Sequence, residues 1–240
     1  MRKIFTPELS GKKGKHAMTP EIMWALKAKL RESGLKLIKR RIIWAVSTIC
    51  WAGALRVHEI LARHARSFDV TSTMTVDDVK VTDVKVDGKV TRSLKIHLKH
   101  PKEERLSAGV TIDVFETGDF MCPIDAFKKW RRDAKVTLDK PKPLFRLEGG
   151  ENYTGQAFNR DLRKLLKEVV DYEKSPITAH SFRRGLATFM AKNNYSDAEI
   201  MRIGRWHSRA FELYIATPRE VRAKLADELA GKVAKYMELS

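Results

Sequence analysis

His180-Ser181-Phe182-Arg183-Arg184-Gly185 opens a run that continues through Gly204-Arg205-Trp206-His207-Ser208 and closes on Tyr214. A His and an Arg three positions apart at a helix start share one face, about one turn from each other, so both can address a single anionic group. A phosphodiester can be gripped in this way. Tyr214 lies 31 residues past Arg183, beyond a Gly-containing turn that can bring its hydroxyl back toward the pair. The same letters also fit a buried, hydrogen-bonded His180, a surface Arg183 and a core Tyr214, because short His/Arg/Tyr patterns recur by accident. The rest of the chain decides between these readings.

The 240 residues suit one large domain or two small ones, and 43% apolar residues are ample for a core. Lys plus Arg number 47 against 30 Asp plus Glu, a formal charge of +17 that points to a polyanionic partner, nucleic acid first. A basic membrane-surface protein is the competitor. No apolar stretch approaches the ~18 residues of a spanning helix, however, and the N-terminus has no signal-peptide core, so a soluble intracellular protein without membrane partner is expected. Cys50, in an apolar helix-like run, and Cys122, before a proline, form neither a zinc-ligand pattern nor a disulfide framework.

Residues 1–17 carry Arg2, Lys3, Lys12, Lys13 and Lys15 without hydrophobic period and read as a mobile basic arm. Thr19-Pro20 signals a helix start, Ile22, Met23, Leu26 and Leu30 give its apolar stripe, and Gly34 stops it. Leu35 to Trp51 reads as an amphipathic helix, with Ile38, Ile42, Ala45, Val46 and Ile49 apolar and Lys36, Lys39, Arg40 and Arg41 as a basic flank. After the break Ala52-Gly53-Ala54, Arg56 sits at a helix beginning, as a solvated helix-end arginine or as an anion ligand. Glu59, three residues on, can orient its guanidinium.

Between Val79 and Val114 the period changes to two. Val79, Val81, Val84 and Val86 lead into Asp87-Gly88, a strong hairpin signal; Leu94, Ile96 and Leu98 alternate, as do Val110, Ile112 and Val114, predicting a small three-stranded antiparallel sheet. Lys99 ends the middle strand and begins a charged turn, either simply solvated or as a flexible ammonium able to reach a bound anion and donate a proton. Further helices are predicted from Ile124 to Ala134 with Phe127 and Trp130 inward, and from Thr154 to about Asp171 with Phe158, Leu162, Leu165, Leu166 and Val169 inward. Between these two, a loop has Leu144 and Phe145 buried. The His180 helix presents Phe182, Leu186, Phe189 and Met190 at core spacing, and Ser196-Asp-Ala-Glu199 is a capping box opening a short helix that ends at Gly204. A last amphipathic helix over 218–240 repeats Val221, Leu225, Leu229, Val233 and Met237, to dock on its own domain or on a neighbouring subunit.

Written in order, Arg56 with Glu59, Lys99, His180, Arg183, the Trp206-His207 pair and Tyr214 resemble the tyrosine recombinase (integrase) family, whose pattern is an Arg followed by an acid, a β-hairpin Lys, a His-x-x-Arg, a His or Trp, and a Tyr nucleophile. The short final segment is similar to that of recombinases from eukaryotic or viral mobile elements. The resemblance implies an α+β fold: a mainly helical DNA breaking-rejoining catalytic domain over 18–217, with the small sheet. It implies cleavage and rejoining of double-stranded DNA through a 3′-phosphotyrosyl intermediate, by a homo-oligomer, a tetramer on DNA or a dimer. No metal, ATP or small-molecule substrate is called for, in keeping with the lack of a Walker A loop, an EF-hand loop or a His/Cys zinc cluster. An intracellular, DNA-associated place follows, nuclear in a eukaryotic host and cytoplasmic or nucleoid otherwise. Two features depart from the pattern. The familiar Gly-His with Tyr nine residues later is replaced by Gly204-Arg205-Trp206-His207, either Trp206 or His207 filling the slot, and the family's N-terminal core-binding domain is not among these residues, as expected of a fragment or of a protein in which the basic arm and other chains compensate. A type IB topoisomerase-like relaxing enzyme and a non-catalytic DNA-binding module on the same fold remain the alternatives.

Overall fold

A computed structural model describes residues 16–99, 109–135, 142–171, 176–178 and 180–206. His207, Tyr214, residues 1–15 of the expected arm and the expected helix over 218–240 lie outside these described residues. Helix α1 (Pro20–Glu32) starts as its residue types dictate: the Thr19 hydroxyl accepts from the Ile22 N–H and proline fills the first turn. Helix α2 (Leu37–Ala52) is the central element, packed against α1 and three later helices. Only its first half is amphipathic. From Ala45 to Cys50 every residue is buried, so the basic flank ends at Arg41, and the interior Ser47 and Thr48 hydroxyls donate to their own helix's carbonyls. The expected stripe was too narrow because residues this apolar pack on all sides.

The flank residues of α2 are held by acids across the core. Lys39 Nζ lies 2.8 Å from Asp161, which also accepts from the buried Tyr153 hydroxyl at 2.7 Å, and Arg41 Nε lies 2.6 Å from Asp133. The acids belong to α5 (Gly155–Leu166) and α4 (Pro123–Asp133). Burial, with the hydrogen bond to Asp161, pushes the Tyr153 phenol well above its usual range, so it stays a neutral donor.

Strands β1 (Val79–Val86), β2 (Lys89–Leu98) and β3 (Val110–Phe115) form the antiparallel sheet in the order β1-β2-β3. Asp87 and Gly88 both take positive φ, 48° and 78°, the requirement of the tight turn whose twist matches the flanking strands. Val79, Leu94, Ile96, Leu98 and Val114 face the core. Val84 and Val86 fall on the opposite face from Val79 and Val81 because the side-chain period is two, and Val86 is exposed at the hairpin end.

Helix α4 turns Phe127 and Trp130 inward, Trp130 packing edge-on to Phe145 at 4.7 Å between centroids. Helix α5 stops at Leu166, not near Asp171: the N–H groups of Val169 and Val170 both turn back to the Leu166 carbonyl, which buries both valines without further helix and leaves Leu165 half-buried. Helices α6 (Ser181–Lys192) and α7 (Asp197–Gly204) follow, α7 opening on the Ser196/Glu199 capping box. In α6 Phe182, Leu186 and Met190 are buried, but Phe189 is 38% exposed and packs edge-on to Trp51.

Candidate functional site

The end of α2 presents Arg56. Gly53 closes the helix, Ala54 takes the left-handed conformation at φ 48°, and the Leu55 N–H reaches the Cys50 carbonyl at 2.9 Å. Left-handed backbone costs an L-residue roughly 1–2 kcal/mol, which the full burial of Ala54 helps to offset. Gly53 also lets β3 come close: a Cβ there would sit 2.9 Å from Val114 Cγ2, so the valine or the turn would have to shift. Arg56 then caps α3 (Val57–Ile60) and is buried. Glu59 accepts from the Arg56 backbone N–H at 2.6 Å, while its other oxygen lies 3.5 Å from the guanidinium. The guanidinium contact that the sequence suggested for Glu59 is the longer of the two. The shorter one fixes the helix start.

His180 is the N-cap residue of α6 and Arg183 lies in its first turn, at the helix start that the sequence predicts. His180 is half-buried, whereas Arg183 is 1% exposed, against the surface alternative. That turn contains no acid, so cationic groups stand at the positive end of the helix dipole, an arrangement worth roughly 0.3–1 kcal/mol per charge against folding and reversed by a bound anion. The helix is held by the segment before α1. Met18 donates its N–H to the Ser181 carbonyl at 2.8 Å, and its carbonyl accepts from Trp51 Nε1 at 2.8 Å. That same carbonyl lies over Gly185, where any Cβ would overlap it. His16 is also buried, so the last part of the expected mobile arm is packed.

The end of α7 completes the cluster. Arg205 closes the helix in the left-handed region at φ 52°, and the Trp206 N–H returns to the Met201 carbonyl at 3.0 Å. This closure lays the Trp206 ring on Gly204, with no room for a Cβ between them, and against the Arg183 guanidinium, 4.6 Å from the ring centroid. Of the two candidates for the His/Trp position, Trp206 therefore lies beside Arg183; His207 is outside the described residues. Arg205 joins the two arginine-bearing elements: its Nη1 donates to the Gly53 carbonyl at 3.0 Å, and its own carbonyl lies 3.5 Å from Arg183 Nη2. Sequence reading missed this role, although Arg205 sits nine residues before Tyr214, where the family pattern places its His.

Lys99 is placed differently from the expected flexible ammonium. It is held by the carbonyls of Val70 at 2.6 Å and Thr73 at 2.9 Å and by Asp78 Oδ2 at 2.8 Å. None of these three residues was singled out from sequence, and three acceptors match the three donors of an ammonium. Among the described residues there is no group of three His, Cys, Asp or Glu side chains suited to a metal, and no helix is long and apolar enough to cross a membrane. Cys50 and Cys122 are buried free thiols, and burial pushes that of Cys50 up.

No family model matches the chain, and comparison with curated proteins gives no match. Among solved structures, the XerH site-specific recombinase bound to its difH substrate superposes with a TM-score of 0.58 at 13% identity, over 93% of this chain and 57% of that one. The XerA recombinase gives 0.57 at 13% identity, over 93% and 66%. A lambda integrase dimer bound to a core site gives 0.55 at 14% identity, over 86% and 49%. This chain thus spans less than two thirds of the length of each. Identities this low carry the architecture alone, and by that architecture the chain has the fold of the tyrosine recombinase catalytic domain.

Proposed function

We propose that the chain is the catalytic part of a tyrosine-type DNA strand transferase, a site-specific recombinase or integrase that cuts and rejoins double-stranded DNA through a 3′-phosphotyrosyl intermediate, without metal or ATP. The observation that supports this reading is the packing of buried Arg183 on Trp206, with Arg205 tying that end of α7 to the turn that precedes buried Arg56. The planar forks of two buried guanidinium groups match the non-bridging oxygens of a phosphate. The net charge of +17 favours a polyanion as its source.

In this mechanism the Tyr214 phenol attacks phosphorus while the bond to the 5′ oxygen breaks. A phenol of reference pKa about 10 needs a proton acceptor and positive potential nearby. His180 takes the phenolic proton, and Arg56 and Arg183 neutralise the charge that grows on the non-bridging oxygens. Trp206, or His207, donates to the same phosphate. Lys99 gives its proton to the departing 5′ oxygen. The bond energy is kept in the tyrosyl ester, so the reverse attack by a 5′ hydroxyl rejoins the strand. The enzyme works as a homo-oligomer on DNA. Tyr214→Phe should abolish covalent protein–DNA adducts while leaving affinity for duplex DNA nearly intact; adducts persisting in that variant would reject the assignment.

A further inference from the structure

Lys99 closes β2, and its ammonium is held by two backbone carbonyls and one carboxylate. The carboxylate is itself fixed. Asp78 Oδ2 accepts from the Thr75 N–H and from the Thr75 hydroxyl, each at 2.7 Å, so a single oxygen takes three donors. Thr75 is buried and bridges to Pro143, and the Val76 N–H reaches the Lys142 carbonyl at 3.1 Å, which anchors the acid to the far side of the core. The Lys99 and Asp78 side chains are only 15% and 13% exposed, so water screens their attraction poorly.

Of the two carbonyls, that of Val70 belongs to a segment of opposite character, and that of half-buried Thr73 follows just after it. Residues 63–72 are all exposed, and they carry Arg63, His64 and Arg66. The segment is tied down at one end by Asn152, whose Nδ2 donates to the carbonyls of His64 at 3.1 Å and Ser67 at 3.0 Å, and at the other end by Lys99. A polyanion drawn to those basic residues engages the same exposed segment that supplies the Val70 carbonyl.

We infer that Asp78 is a positioning residue that holds the Lys99 ammonium in the DNA-free protein, as a carboxylate–ammonium latch opened when DNA engages the exposed 63–72 segment and its phosphate takes over the ammonium. This rests on the recombinase reading for the role of Lys99 as proton donor. The latch itself is a property of the DNA-free protein. In the stored position all three ammonium protons have acceptors, so delivery of one to the 5′ oxygen requires that at least one of these bonds be exchanged for the phosphate. Asp78→Asn keeps an oxygen for the Thr75 N–H while removing the charge that holds Lys99. Thr75→Val removes only the hydroxyl that steadies Asp78.

The experiment has two arms. In DNA-free protein, acetylation of individual lysines by a water-soluble acylating reagent is followed by mass spectrometry, with exposed Lys85 as the internal standard. Lys99 should react more slowly than Lys85 by on the order of tenfold, the factor a charge-assisted hydrogen bond is worth. It should approach Lys85 in Asp78→Asn and fall between in Thr75→Val. In the second arm, single-turnover cleavage is measured on nicked DNA with an oxygen or a bridging 5′ sulfur leaving group. Asp78→Asn should speed the oxygen substrate several-fold and leave the sulfur substrate, which needs no proton from Lys99, unchanged. Lys99 reacting as fast as Lys85 in the unaltered protein, labelling indifferent to Asp78→Asn, or slower cleavage of the oxygen substrate would each overturn the latch. Failure of the unaltered protein to cleave either substrate would count against the recombinase reading alone, since the labelling arm decides the latch without it.

Discussion

Gly204→Ala tests the corner of the site with one methyl group. The added Cβ would overlap the six-membered part of the Trp206 ring, so the ring must move, and its present seat is the one that puts it 4.6 Å from the Arg183 guanidinium. Two limits bracket the cost. If the ring shifts but stays buried, overpacking costs roughly 1–3 kcal/mol. If it leaves altogether, an indole burying about 200 Å² loses up to about 5 kcal/mol at ~25 cal/mol per Å². Alanine returns up to about 1 kcal/mol of helix propensity at a helical site. A net loss of about 2–3 kcal/mol is expected, which lowers Tm by roughly 4–12 °C for a domain of this size. Gly34→Ala is the control, because a Cβ there meets nothing within 4 Å; it should leave Tm unchanged or slightly raised. Thermal unfolding followed by tryptophan fluorescence reads both variants, and adduct formation on nicked DNA should fall in Gly204→Ala alone. A Gly204→Ala protein with unaltered melting and fluorescence would refute the packing argument.

Gly185→Ala should be destabilised by at least about 1–3 kcal/mol, since its methyl would overlap the Met18 carbonyl and backbone yields less readily than a side-chain tip; unfolding in urea measures it. Arg205→Ala should lower single-turnover adduct formation on the order of 10²-fold through misplacement of Arg56 relative to Arg183, with DNA affinity nearly unchanged and partial rescue by Arg205→Lys; equal losses in affinity and rate would argue for a general structural defect. Hydrogen bonds from Arg132, first, and Arg41 hold the Asp133 carboxyl below its usual range. A carboxyl depressed by folding stabilises above its unfolded pKa of about 4, and that contribution is lost as pH falls through the folded value, so Tm should drop less steeply below pH 4 in Asp133→Asn than in the unaltered protein.

The elements that sequence predicted well are those specified locally. Asp87-Gly88 between alternating valines admits few conformations other than a hairpin, and Thr19-Pro20 and Ser196/Glu199 satisfy helix N–H groups within one turn. His180 caps α6 and Arg183 falls in its first turn, where the run of residues after His180 begins the helix. What could not be read depends on partners far along the chain. Lys99 is held by residues 21 to 29 positions earlier, which carry no chemical signature since two of the three offer only backbone carbonyls. Arg205 reaches Gly53 across 152 positions, and Met18 meets Gly185 across a gap that no periodicity records. The burial of α2 on all sides likewise reflects how many elements gather around it, which its own residues do not state.

The chemistry stands or falls on which side chain becomes bonded to DNA. Nicked duplex DNA that releases its short 5′ fragment traps the covalent complex irreversibly, and protease digestion followed by tandem mass spectrometry then locates the nucleotide-bearing residue. The account predicts a 3′-phosphodiester on the Tyr214 oxygen. A modification on any other residue, or no covalent complex from protein shown to bind the same duplex, would contradict it.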